Sequence, residues 1–218
     1  MLMELFYHPL SRYSQKVLIA LYEKQANFYP RVIELSDPLS RREFCDFYPP
    51  GKLPLLKSKS GELIPESSII IEFIDSEFST GTRLFPIDRR IALDTRLQDR
   101  LIDNDFSNVL FELEHQKLED GDQNHIMIKQ LENDISQFLG YLDKKLEKNH
   151  WLCSDGLTLA DCALFPCLHC AQDYFKLFQY DNLNRYWHQA QLRGSYLQVK
   201  EEVELAAGDV LSGRRPIP

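Results

Sequence analysis

Gly51-Lys52-Leu53-Pro54-Leu55-Leu56 constrains the fold more than any other stretch of this chain. A glycine turn delivers a proline to the mouth of an apolar run that suits a buried strand. Ser58-Lys59-Ser60-Gly61 then reads as the turn of an antiparallel hairpin between Leu53–Lys57 and Glu62–Ile64. The exit, Pro65-Glu66-Ser67-Ser68-Ile69-Ile70, runs straight into a helix that continues to Phe78. This order places an extended main chain beside a carboxylate, a hydroxyl and the N–H groups of a helix start.

Upstream, Leu2–Phe6 is a short apolar strand, and Tyr13–Gln25 carries Val17, Leu18, Ala20 and Leu21 on one helical face. Phe28–Leu35 returns to strand character; Pro30 has no N–H to give, which predicts an edge strand. Asp37-Pro38 reads as a turn, with Ser40–Phe47 a short helix or irregular segment. A parallel crossover followed by a hairpin and a closing helix is the pattern of a thioredoxin-like α/β domain. From Ile91 onward no strand pattern occurs. Leu93, Leu97, Leu101, Phe106, Leu110 and Leu113, and later Ile128, Leu131, Ile135, Phe138, Leu139 and Leu142, recur at helical spacing. Glu119-Asp120-Gly121-Asp122 separates those two sets, and Ser212–Pro218 reads as a loose tail. The division expected is a thioredoxin-like domain over 1–79, a linker over 80–90 and an all-helical C-terminal domain over 91–218.

Length and charge narrow the function. The 218 residues suffice for two domains, and 44% apolar with 27% charged residues is ordinary for a soluble protein. A formal net charge of −8 disfavours nucleic acid as a direct partner. Arg89, Arg90, Arg96 and Arg100 form either a local basic patch or, interspersed with Asp94 and Asp99, a solvated helix face, the reading the residues favour. No apolar run is long enough for a bilayer, and the start lacks the basic and apolar regions of a leader. Five cysteines, an odd number, point to reduced thiols and the cytoplasm. Cys167-Leu168-His169-Cys170 falls in a helix with no second pair elsewhere, so it reads as structural rather than as a zinc or redox site.

Three places carry candidate chemistry. A cis Leu53-Pro54 bond would turn the Leu53 backbone outward, where an extended peptide can pair with it as an added strand. The bland alternative is a trans proline starting a strand. Ser67 is placed to cap the following helix, and helix N–H groups also favour an anionic group. Glu66 offsets a nearby amine, so the pair suits the α-amino acid end of a short peptide such as glutathione. Ser11, just ahead of the first helix, can direct its hydroxyl at a sulfur and favour thiolate over thiol, or can serve as an N-cap. A thiol titrates near ~8.5 unperturbed, and each unit of lowering is worth about 1.4 kcal/mol. Ser14, Tyr7 and Tyr13 rank below Ser11 as donors. No cysteine occupies this loop, which disfavours thioredoxin-type disulfide exchange. Thr158-Leu159-Ala160-Asp161 is a capping box opening a helix over Cys162–Phe178 that Pro166 should bend; it serves folding.

Over Met3–Ala206 the chain resembles the cytosolic-type glutathione transferases. The resemblance rests on Gly51-Lys52-Leu53-Pro54, Glu66-Ser67, the linker Leu84-Phe85-Pro86 and the segment Leu157–Pro166. It implies a thioredoxin-like domain followed by a helical domain, with Leu53, Pro54, Glu66 and Ser67 holding glutathione as co-substrate. Lys52 would meet the glycine-end carboxylate or remain solvated. Ser11 with Arg12-Tyr13-Ser14-Gln15-Lys16-Val17 is similar to serine-type, zeta- or bacterial-like members, in which a hydroxyl activates the thiol. The implied reaction is conjugation of the thiolate to a small hydrophobic electrophile, with no metal. Tyr7, His8, Phe106 and Leu110 are placed either beside the electrophile or in the scaffold. A homodimer is implied, the Ser67–Phe78 helix packing on the partner's Ile91–Leu113 helix. Two other functions occur among relatives: a non-catalytic interaction protein like the stringent starvation protein that binds RNA polymerase, and a glutathione-dependent isomerase or peroxidase.

Overall fold

The fold is described from a computed structural model covering residues 2–118 and 124–211, the side chains of 209–211 excepted. The acidic segment Glu119-Asp120-Gly121-Asp122 and the expected tail from Ser212 lie outside the described residues. The first compact unit comprises residues 2–84 with 193–211, and the second comprises Phe85–Leu192.

In the first unit the order is β1 (Met3–Tyr7), α1 (Arg12–Glu23), β2 (Phe28–Val32), α2 (Pro38–Phe47), β3 (Leu55–Lys57), β4 (Leu63–Pro65) and α3 (Ser67–Glu77). The sheet runs β2-β1-β3-β4, with β1 parallel to β2 and the other two pairs antiparallel. This is the thioredoxin-like arrangement, and Pro30 lies on the edge strand as its missing donor requires. Leu5, Val17, Leu18, Leu21, Leu55, Leu56, Ile70, Ile71 and Ile74 are fully buried. At roughly 1.5–3 kcal/mol per buried aliphatic side chain, they supply the main stabilisation of this unit.

The local details refine the sequence reading. Helix α2 starts at Pro38, because the Asp37 carboxylate caps it through the Ser40 N–H at 2.8 Å and proline is at home in a first helical turn. Strand β3 starts two residues beyond Leu53. Gly51 has φ +59, which favours glycine, and a Cβ there would stand 2.7 Å from the Cys45 Sγ and force that side chain to shift.

The second unit contains α4 (Arg89–Leu101), a π-helical turn (Ile102–Ser107), α5 (Asn108–Leu118), α6 (His125–Lys145), α7 (Leu159–Ala171), a 3₁₀ turn (Leu177–Gln179) and α8 (Asp181–Gln191). Helix α7 packs on α4 and the π turn, and α6 on α5 and α8. Along α4, Leu93 and Leu97 are exposed, whereas Thr95, Gln98 and Asp99 are buried. The expected apolar face is therefore not the face turned to this unit's core. Asp161 joins Thr158 in the capping box, and α7 ends at Ala171, short of Phe178. Helix α9 (Gly194–Leu211) belongs to the first unit and packs on α1, although it falls within the 91–218 expected for the helical domain. Glu23 of α1 accepts hydrogen bonds from Arg193, Ser195 Oγ (2.6 Å) and Thr82 Oγ1 (2.6 Å), and Glu202 of α9 accepts from Tyr7 and Tyr22.

Candidate functional site

Strand register gathers the candidate residues at one end of the sheet. Phe6 is opposite Leu55, and Leu55 is opposite Pro65. The chain leaving β1, the chain entering β3 and the chain leaving β4 therefore emerge side by side. They carry the loop to Ser11, the Leu53-Pro54 bond and the Glu66-Ser67 pair. Two strand spacings make this row about 10 Å wide, about the length of an extended tripeptide.

The Leu53-Pro54 peptide bond is cis. Leu53 is half-buried, Pro54 is buried, and Lys52 is exposed. Among the described residues the Leu53 main chain pairs with no other backbone group, because the ladder with β1 and β4 begins at Leu55. An extended peptide can bond there by strand addition.

At the β4–α3 junction the structure revises one expectation. Glu66, not Ser67, is the N-cap of α3, and it makes no side-chain capping bond. Ser67 is the first helical residue and is buried. Glu66 has φ +68 and ψ 118 with its side chain exposed. A non-glycine residue in this region carries strain of order 1–3 kcal/mol, and such residues concentrate at ligand sites. The consequence is a carboxylate beside a helix N-terminus, an arrangement that matches an amine and a carboxylate on adjacent atoms.

Ser11 is the N-cap of α1. Its Oγ accepts the Ser14 N–H at 3.4 Å. Among the described residues its hydroxyl proton has no acceptor, so capping and donation to a sulfur are compatible roles. Ser14 is buried, with its Oγ accepting the His8 N–H at 3.3 Å. Tyr7 is buried, and its hydroxyl donates to Glu202 Oε2 at 3.0 Å. Burial first, and then the Glu202 charge and hydrogen bond, push the Tyr7 phenol well above its ordinary pKa, so its proton stays committed to Glu202. His8 is buried, with Nε2 3.2 Å from Glu34 Oε2. Phe106 and Leu110 are fully buried in the helical unit, and Phe106 stacks on Phe138 with ring centroids 5.3 Å apart.

Sequence reading missed three features. The positive φ of Glu66 has no signal, since glutamate does not ordinarily mark such a position. The His8–Glu34 pair joins residues from different loops. The Glu202 cluster joins residues far apart in sequence. All five cysteines are unbridged, and no group of three or more metal-ligating side chains occurs among the described residues.

Comparison with known proteins places the fold in a family. Residues 5–82 match the glutathione S-transferase N-terminal domain and residues 105–190 its C-terminal domain. Glutathione S-transferase F6 of Arabidopsis thaliana is 27% identical over 170 residues, 76% of this chain and 81% of the relative. The glutathione-bound structure of a glutathione S-transferase from Methylobacillus flagellatus is 26% identical, with a TM-score of 0.80 over 90% of this chain and 98% of that one. Poplar glutathione transferase F1, 22% identical, superposes with a TM-score of 0.83 over 94% of this chain and 99% of its own. Plant F-type and bacterial members are both among these relatives, and they do not resolve the class, the zeta type included. With both domain matches in chain order on the thioredoxin-like and helical units, the chain belongs to the glutathione S-transferase family.

Proposed function

We propose that this chain is a glutathione transferase that joins the glutathione sulfur to a small hydrophobic electrophile. The Leu53 main chain pairs with the tripeptide backbone. Glu66 takes its α-amine, Ser67 and the α3 N-terminus take its α-carboxylate, and Lys52 reaches the glycine end. The Ser11 hydroxyl donates a hydrogen bond to the sulfur and favours thiolate over thiol, the thiol proton leaving to solvent. The thiolate attacks an electrophilic carbon; the S–C bond forms as the leaving group departs with its electron pair. Holding sulfur and electrophile together removes much of the entropic cost of their encounter. The glutathione-bound bacterial relative supports the co-substrate. The observation that carries the catalytic reading is the Ser11 hydroxyl, oriented by its capping bond yet with its proton uncommitted.

The exposed Ile69 on α3 and Leu93 and Leu97 on α4 support a homodimer. The unbridged cysteines support a reducing compartment such as the cytoplasm. Ser11→Ala tests the mechanism. A hydrogen bond to a charged group is worth about 1.5–3 kcal/mol, so conjugation should fall roughly 10- to 100-fold while glutathione affinity stays within about threefold. An unchanged rate would make Ser11 a cap alone.

A further inference from the structure

His8 is a buried, titratable side chain that the proposed chemistry does not use. It opens a β-turn over residues 8–11, closed by the Ser11 N–H donating to the His8 carbonyl at 3.0 Å. Pro9, second in the turn, has the φ that this position requires. The Leu10 N–H is directed at the His8 ring and donates to Nδ1 at 3.2 Å. Nδ1 is therefore an acceptor, the ring proton resides on Nε2, and Nε2 donates to Glu34 Oε2 at 3.2 Å. Glu34 is held in turn by the Ser36 hydroxyl at 2.6 Å and the Ser36 N–H at 3.3 Å. The His8 N–H meets Ser14 Oγ, and the Gln15 amide meets the Pro9 carbonyl at 2.8 Å. Each of these bonds fixes the short path from β1 to the Ser11 hydroxyl.

We propose that His8, oriented by Glu34, is a positioning residue for the Ser11 hydroxyl. The inference rests on the thiolate-stabilising role of Ser11. His8 Nδ1 stands as many bonds from the backbone as the Oδ1 of an asparagine, so the ring acts as the acceptor of an Asx-type turn. The ring adds what asparagine lacks, a far nitrogen that reaches Glu34 and prevents rotation. Loss of the acceptor leaves the Leu10 N–H unpaired, and the turn relaxes by shifting Ser11. Loose geometry of this kind lowers the rate of a reaction more than it weakens ground-state binding.

The experiment compares His8→Phe, His8→Asn, Glu34→Gln and Ser11→Ala with the parent protein. It uses reduced glutathione and a chloronitrobenzene, in which the S–C bond forms as chloride leaves. Three quantities are read: kcat, the KM for glutathione, and the pH titration of bound thiolate by its ultraviolet absorbance. His8→Phe fills the space without an acceptor. It should lower kcat about tenfold, raise the bound-thiol pKa, and leave KM within about twofold. His8→Asn restores the acceptor for Leu10 and should recover most of that loss. Glu34→Gln still accepts from Nε2–H and should fall between the parent and His8→Phe. Full activity in His8→Phe, or no recovery in His8→Asn with the fold intact by circular dichroism, overturns the proposal. If Ser11→Ala is itself unchanged, the Ser11 reading fails first, and the result is distinct from a failure of the tether alone.

Discussion

Replacing Asp161 by alanine should destabilise the helical unit by roughly 3–5 kcal/mol. The carboxylate is fully buried and accepts four hydrogen bonds: from the N–H groups of Leu152 (2.9 Å) and Thr158 (2.7 Å), and from the hydroxyls of Thr158 (2.9 Å) and Tyr186 (2.9 Å). Alanine removes every acceptor. The Thr158 hydroxyl can rotate toward another group, but two main-chain donors and a phenol remain. Each unsatisfied buried donor costs about 1–3 kcal/mol. Relief of the carboxylate's own desolvation, the leading influence on its pKa, offsets part of the sum and holds it in the lower half of the range. At about 2–4 °C per kcal/mol for a chain of this size, the melting temperature should fall on the order of 10 °C. Both tryptophans, Trp151 and Trp187, lie in this unit, and Trp151 packs edge-on to Tyr186 at 5.7 Å, so fluorescence reports its unfolding. Asp161→Asn keeps one acceptor oxygen and should lose less. A melting temperature for Asp161→Ala within about 3 °C of the parent would refute the reasoning.

Two further outcomes follow from hydrogen-bonded carboxylates in the first unit. Burial opposes ionisation of Glu23, but hydrogen bonds from Arg193, Ser195 and Thr82 outweigh it and hold the carboxyl below its ordinary value of 4.5. A lowered native pKa contributes stability above the unfolded value and loses it as pH falls through the native one. Stability against urea should therefore fall below about pH 4.5, and Glu23→Gln should flatten that acid limb while costing stability at pH 7; parallel limbs in the two proteins would count against it. Glu202→Leu leaves the Tyr7 and Tyr22 hydroxyls without their acceptor. A cost of about 2 kcal/mol should speed amide exchange in α9 on the order of 30-fold, and unaltered exchange would show that packing alone holds the helix.

The legible parts of this molecule are those in which neighbouring residues decide the outcome. Pro30 demanded an edge because a missing donor cannot be supplied from elsewhere. Gly51-Lys52-Leu53-Pro54 announced a special turn, and Thr158 with Asp161 announced a helix start. All three depend on interactions within a few residues. The hidden parts depend on distant partners. Helix α9 joins the first unit through Ser195 and Glu202, and nothing in its own sequence names their partners Glu23, Tyr7 and Tyr22. Leu93 and Leu97 kept a helical period yet face away from the core, because periodicity identifies a face without saying what covers it. The candidate site was half legible: the strand-to-helix junction between Pro65 and Ser67 stands where the residues place it, but Glu66 holds the cap position expected of Ser67.

Calorimetric titration of reduced glutathione into the intact protein tests the central claim most directly. A single saturable site is expected, weakened about tenfold or more in Glu66→Ala, because a carboxylate–ammonium hydrogen bond of roughly 1.5–3 kcal/mol is lost. No heat at millimolar tripeptide, or equal affinity in Glu66→Ala, would contradict the account.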